Sequence, residues 1–327
     1  MIHISANYYS KENINSYNWK ISFMYNGISR FGVPIFFMIS GALFLNRDIS
    51  YKKMFNKYIK RLIINLVVWS FIYSIFNNNI YNFKLSIKKI IIKFCLSHFH
   101  LWYIFTTIGF YMIVPFLREI TKREQLLEYF LILSFIFTFI IPNCNYFISS
   151  YSNKIHQIIK SIYVKMNMNF INGFNFYFMF GFYLNNIKNM NINKLVFIYV
   201  FRLIGLYFTV ILLYRLSIFK KEKILIFFRA LNLNILAYST SIFIIAKIYF
   251  NNLNSKSRDF IKKISNYSFG IYLIHPLIIN KFYKFQYYFS FMDIFYKIPI
   301  ISLIIYIISL IISIIIKFIP FIGNYIL

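Results

Sequence analysis

Neutral histidine is the side chain best suited to take a proton from a hydroxyl near pH 7. Four of the five histidines stand in apolar surroundings: His3 near the start, His98 and His100 opening "HFHLWYIFTTIGFYMIVPFLR", and His275 in "NYSFGIYLIHPLII". His156 falls in a polar stretch and reads as solvated. His100 and His275 suit either a reactive site or hydrogen-bonded packing. His98 and His100, two apart on a helix, would point their rings in different directions, and no third donor follows, so no metal site is expected. Two arginines complete the reactive inventory. Arg30 precedes "FGVPIFFMISGALFL", where Pro34, Ser40 and Gly41 interrupt an apolar run, and this pattern equally suits an interfacial anchor followed by a kink and a small-residue packing face. Arg61 ends "NKYIKR", where it is either a snorkelling anchor or, with Lys57 and Lys60, a cationic mouth for a phosphate-bearing ligand. All eight acidic residues lie in loops or at the ends of apolar runs. A carboxylate-driven proton pump and a paired-carboxylate hydrolase are therefore poorly supported.

These groups must be positioned by membrane helices. Of 327 residues, 60% are hydrophobic and only 13% charged, outside the range of soluble domains. Apolar runs near residues 26–45, 56–76, 98–118, 125–142, 169–187, 194–214, 233–250, 264–287 and 298–319 approach the roughly 20 residues a helix needs to cross about 30 Å of hydrocarbon. They are too long and too uniformly apolar for barrel strands. The expected fold is an all-α integral membrane protein of about nine full transmembrane helices plus a half-helix at the start. With no repeat and no linker, residues 1–327 read as a single transmembrane domain. The net charge of +28 accompanies heavy use of Lys, Asn, Ile, Phe and Tyr, a pattern of compositional bias, and no nucleic-acid partner is expected. Cys95 and Cys144 read as separate thiols. The basic run Arg47, Lys52, Lys53, Lys57, Lys60 and Arg61 is taken as cytoplasmic by the positive-inside rule, although Arg215, Lys220, Lys221 and Lys223 oppose it.

Three stretches in order, "RFGVPIFFMISGALFL", "HLWYIFTTIGFYMIVPFLR" and "SFGIYLIHPLII", resemble the second, fourth and ninth helices of the acyltransferase-3 family of membrane O-acyltransferases. The resemblance runs the length of the chain. It is to the compact branch, which acetylates surface-glycan building blocks and carries no appended esterase-like domain: the longer branch has a Glu five residues after the fourth-helix Trp, and Thr107 stands there. "MIHISANYY" resembles the tail of the family's first helix, so His3 takes the catalytic position. The family's Arg, eleven residues earlier and about 16 Å away along a helix, has no counterpart, and the first helix of this ten-helix bundle is expected to be truncated. A mistaken start, an incomplete reading frame or a decayed gene would each produce that. Of the family's two third-helix arginines, Arg61 matches one and Tyr58 replaces the other.

The resemblance implies transfer of an acyl group, acetyl from acetyl-CoA, to a hydroxyl of a cell-envelope glycan or lipid-linked sugar, in the plasma or inner membrane and with no permanently bound cofactor. His3 would be the general base or acyl relay. Arg30 and Arg61 would steady donor phosphates, and His100, Trp102, Tyr111, Ser40 and His275 would bind or shape the substrates. The rival readings are an exporter of lipid-linked glycans, for which interrupted helices are also expected, and an inactive truncated relative.

Overall fold

The computed structural model describes residues 1–76, 87–149, 151–187, 192–285, 289 and 291–319. The described residues are helical with no strand. Among the described residues, seven helical stretches are long and apolar enough to cross a bilayer: Tyr17–Phe44, Tyr51–Phe76, Ile91–Thr121, Glu124–Ser149, Val196–Lys220, Leu233–Asn252 and Ile294–Phe318. The chain is thus an all-α integral membrane protein with multiple spans. Of the nine expected runs, the other two form the shorter helices Phe174–Asn186 and Ser268–Phe285. Residues 286–287 of the second of these runs lie outside the described residues. The opening half-helix is Ile2–Lys11.

Two compact units make up the chain, the first from Met1–Asp48 and Phe116–Asn252, the second from Ile49–Pro115 and Leu253–Leu327. In the first unit, helix starts and stops follow local chemistry. The Ser16 hydroxyl accepts from the Trp19 amide at 3.1 Å, satisfying an orphan donor at the start of Tyr17–Ile28. At the far end of the 32–44 segment, the Arg118 guanidinium donates to the Phe44 carbonyl at 3.0 Å. Lys247 caps Phe174–Asn186 by donating to the carbonyls of Leu184, Asn185 and Ile187 at 3.0, 2.6 and 3.0 Å. These side chains take carbonyls that the helix ends leave without an intrahelical partner.

One core cluster of this unit is mostly aromatic: Tyr9, Trp19, Phe23, Leu213 and Phe228 pack together. A second close contact is made by glycines. A Cβ added at Gly41 would stand 1.7 Å from the Phe178 carbonyl oxygen, and one at Gly181 would stand 2.1 Å from the Met38 carbonyl oxygen. Helices 32–44 and 174–186 therefore meet backbone to backbone, as small residues permit where hydrophobic force between helices is absent. The packing-face reading of Gly41 is the one the structure takes.

The second unit has its core in Trp69, Tyr73, Leu101, Ile104, Leu273 and Ile274. The Asp293 carboxylate caps Ile294–Phe318 by accepting from the Phe295 amide at 2.7 Å. Within Tyr51–Phe76, residues Met54–Ile59 form a π-helical turn; in the first unit, Ile136–Ile140 and Tyr207–Leu212 do the same. Cys95 and Cys144 are unbridged thiols.

Candidate active site

His3 sits half-buried on Ile2–Lys11, whose buried side chains Ile4, Ser5 and Tyr9 face the protein. The helix is fastened by an uncharged residue, Asn26. Its amide nitrogen donates to the Ile2 carbonyl and to the Ser5 hydroxyl, both at 3.0 Å. Its amide oxygen accepts from Arg30, from Nε at 2.8 Å and from Nη2 as well. Fully buried, Asn26 uses both ends of its amide to hold the His3 helix and the Arg30 guanidinium together. Arg30 also bonds to the Tyr9 side chain, stacks over Phe228 at 4.8 Å from the ring centroid, and acts electrostatically on His3. A base beside a held cation can take a hydroxyl proton while the cation steadies nearby negative charge.

Ser40 is not part of this group. It lies ten residues beyond Arg30, about 15 Å along the helix, and donates its hydroxyl to the Phe36 carbonyl of its own helix at 2.8 Å.

In the second unit the structure assembles a histidine and tyrosine cluster. His98 Nδ1 and His100 Nδ1 are 2.6 Å apart, so one imidazole donates to the other. Tyr73 stacks on His98 at 4.3 Å and meets the His100 edge at 4.7 Å. His275 lies 6.0 Å from His100, ring centre to ring centre. The Tyr73 hydroxyl donates to the Leu273 carbonyl at 2.7 Å, and the Tyr272 hydroxyl donates to the His100 carbonyl. His275 directs Nδ1 at the Tyr272 carbonyl, 2.8 Å away, which fixes the proton on Nδ1 and makes Nε2 the basic nitrogen.

The expectation that the His98 and His100 rings diverge is corrected here. It assumed an α-helix, but Ser97 takes a left-handed φ of 56° and His98 an extended conformation before the short 3-10 turn Phe99–Leu101. The chain bends between the two rings and brings them face to edge. Among the described residues, no three His, Cys, Asp or Glu side chains lie close enough to hold a metal ion.

Arg61 and Tyr111 form a separate group. Tyr111 meets Tyr58 edge-on at 6.4 Å and interacts electrostatically with Arg61. Tyr58 is presented from the π turn Met54–Ile59. Trp102 is 40% exposed at the first position of its helix and meets Tyr103 edge-on at 6.4 Å. His156, expected to be solvated, instead lies half-buried with Nδ1 3.1 Å from the Asn145 carbonyl.

A family model described as an acyltransferase domain, that of the acyltransferase-3 family, matches residues 1–318 of the 327. The chain belongs to the acyltransferase-3 family. Among curated proteins and solved structures, none matches it. As an acyltransferase-3 member the protein is a multi-pass membrane acyltransferase that takes an acyl donor and an acceptor amid membrane lipids.

For this acyltransferase the residues that sequence reasoning overlooked are Asn26 and Tyr9 in the first unit and Tyr73 and Tyr272 in the second. Asn26 had one legible signal, its placement four residues before Arg30 on one helical face. Replacing it by alanine removes the acceptor from a charged donor and frees the His3 helix. An interaction of that kind is worth about 1.5–3 kcal/mol, so Asn26→Ala is expected to lower kcat/KM about 10- to 100-fold. Asn26→Asp, which keeps an acceptor for Arg30, should recover part of the loss. Equal loss in both variants, at equal protein abundance, would separate Asn26 from the positioning of Arg30.

Proposed function

We propose that this acyltransferase moves an acetyl group from acetyl-CoA to a hydroxyl of a cell-envelope glycan or lipid-linked sugar at the plasma membrane, as the compact branch of its family does. The observation that carries the reading is the Asn26-centred fastening of Arg30 beside the helix that bears His3. A sugar hydroxyl is a weak nucleophile until a base takes its proton. His3 removes that proton as the hydroxyl oxygen attacks the thioester carbonyl. The new C–O bond forms, the C–S bond breaks, and the proton passes from His3 to the departing CoA thiolate. Arg30 offers positive charge to the donor phosphates or the carbonyl oxygen, and the resemblance assigns Arg61 a like role. His100, His275, Trp102 and Tyr111 keep the substrate-shaping role it implies for them. The resemblance gives Ser40 the same role, and its hydroxyl donates to the Phe36 carbonyl of its own helix.

The test is donor consumption. Membranes containing the protein, incubated with acetyl-labelled acetyl-CoA, should release free CoA thiol and retain label in a glycan or lipid-linked fraction. Membranes that move lipid-linked glycan but consume no acetyl-CoA would overturn the assignment in favour of an exporter. Consumption of succinyl-CoA alone would overturn the choice of acyl group.

A further inference from the structure

Within the first unit lies a cavity of about 540 Å³ unrelated to the His3 group, in the size range of ligand pockets. Its walls come from Glu124–Ser149, Phe174–Asn186, Leu233–Asn252 and the segment around 197–201, and they are almost wholly hydrocarbon. Leu131, Phe135, Phe176, Phe180 and Leu236 are typical. Three of these walls are span helices or parts of them, and rim residues Ile132, Phe197 and Phe201 are 59%, 65% and 43% exposed. In a bilayer such a side opening faces lipid tails, so what enters is hydrocarbon.

Among the described residues that line the cavity, one is charged. Glu128 lines the cavity one turn inside the first residue of its span, and among the described residues no Lys or Arg forms an ion pair with it. Glu124, Glu128, Leu131, Ile132 and Phe135 follow one another at helical spacing, so the stripe that lines the cavity runs out to the membrane interface at its acidic end. An exposed carboxylate at the mouth of a hydrocarbon groove favours a cationic headgroup over an anionic one. On the inner wall, the buried Thr240 hydroxyl has no hydrogen-bond partner among the described residues.

We propose that this groove seats a hydrocarbon chain of an amine-headed phospholipid, phosphatidylethanolamine in class, with the ammonium on Glu128. Charge decides among the hydrocarbon-bearing candidates. A lipid-linked sugar diphosphate or an anionic phospholipid would set like charge against Glu128, whereas a primary ammonium supplies the missing partner and three donors for it. The Thr240 hydroxyl is a donor suited to an ester carbonyl at the head of the chain. The site goes beyond the acyl-transfer reading and does not depend on it.

Full-length protein exchanged into bilayers of equal phosphatidylethanolamine and phosphatidylglycerol, then mildly extracted, should retain about one ethanolamine lipid per chain by mass spectrometry, favoured about tenfold. Glu128→Gln should keep a bound lipid and lose the headgroup preference. Ile198→Trp, which fills the groove, should lose the lipid. If Ile198→Trp fails to fold, Glu128→Gln alone decides. An unchanged preference in Glu128→Gln overturns the proposal. So does equal retention in a folded Ile198→Trp variant, recovery of a lipid-linked sugar in place of the phospholipid, or a second copy of the chain covering the groove.

Discussion

His3→Ala is expected to cut acyl transfer by about 10²- to 10⁴-fold, the contribution of a positioned general base, while leaving the protein in the membrane at normal abundance. The side chain is half-buried, and its helix is held by Ile4, Ser5, Tyr9 and the Asn26 bonds, so removing the imidazole leaves the packing of Ile2–Lys11 intact. His3→Gln keeps much of the shape and an amide but no base of comparable strength, and should be about as inactive. The initial rate of CoA release per unit of membrane-embedded protein is the measurement. A residual rate within tenfold of the parent in both variants would take His3 out of the proton transfer and move attention to the His98, His100 and His275 cluster.

Gly41→Ala is expected to be strongly destabilising. Its Cβ would stand 1.7 Å from the Phe178 carbonyl oxygen, and the atom in the way is backbone, which cannot swing aside as a side chain would. The two helices must separate, and the reciprocal contact of Gly181 with Met38 is lost with them. The cost should reach or exceed the upper end of the about 1–3 kcal/mol typical of overpacking. Gly109→Ala is the matched control, since a Cβ there meets nothing within 4 Å and alanine suits a helix interior better than glycine. Thermal unfolding in detergent should show a fall of several degrees for Gly41→Ala and no fall for Gly109→Ala. Equal melting of the two would refute the close crossing of the helices.

Most of the spans were legible because hydrocarbon thickness imposes a length and an apolar composition that few other constraints mimic. Of the two runs that form shorter helices, that near 169–187 is the instructive one. Phe176, Tyr177, Phe178, Met179 and Gly181 are all buried in Phe174–Asn186, and an aromatic run reads the same whether protein or lipid surrounds it. His3, Arg30 and Arg61 stood out because ionisable groups are rare in apolar sequence. Asn26 did not, because an uncharged amide in an Asn-rich chain carries no mark of the two hydrogen-bonding directions it uses. The His98 and His100 geometry was misread for a local reason. An extended His98 between a left-handed Ser97 and a 3-10 turn is invisible to periodicity, and it removes the helical frame on which the divergence of the rings was argued.

The π turn at Met54–Ile59 has an evolutionary corollary. Such a turn accommodates one residue more than a regular helix, so it behaves as an insertion hidden inside a continuous span. Excising a single residue from it would restore ordinary winding while the turns on either side keep nearly the bearings they have now, so Arg61 would still face Tyr111. Relatives that differ by one residue here would then present the same faces to the same neighbours, and a gapless comparison across this turn, one residue and so about 100° out of step, would equate side chains that point in different directions.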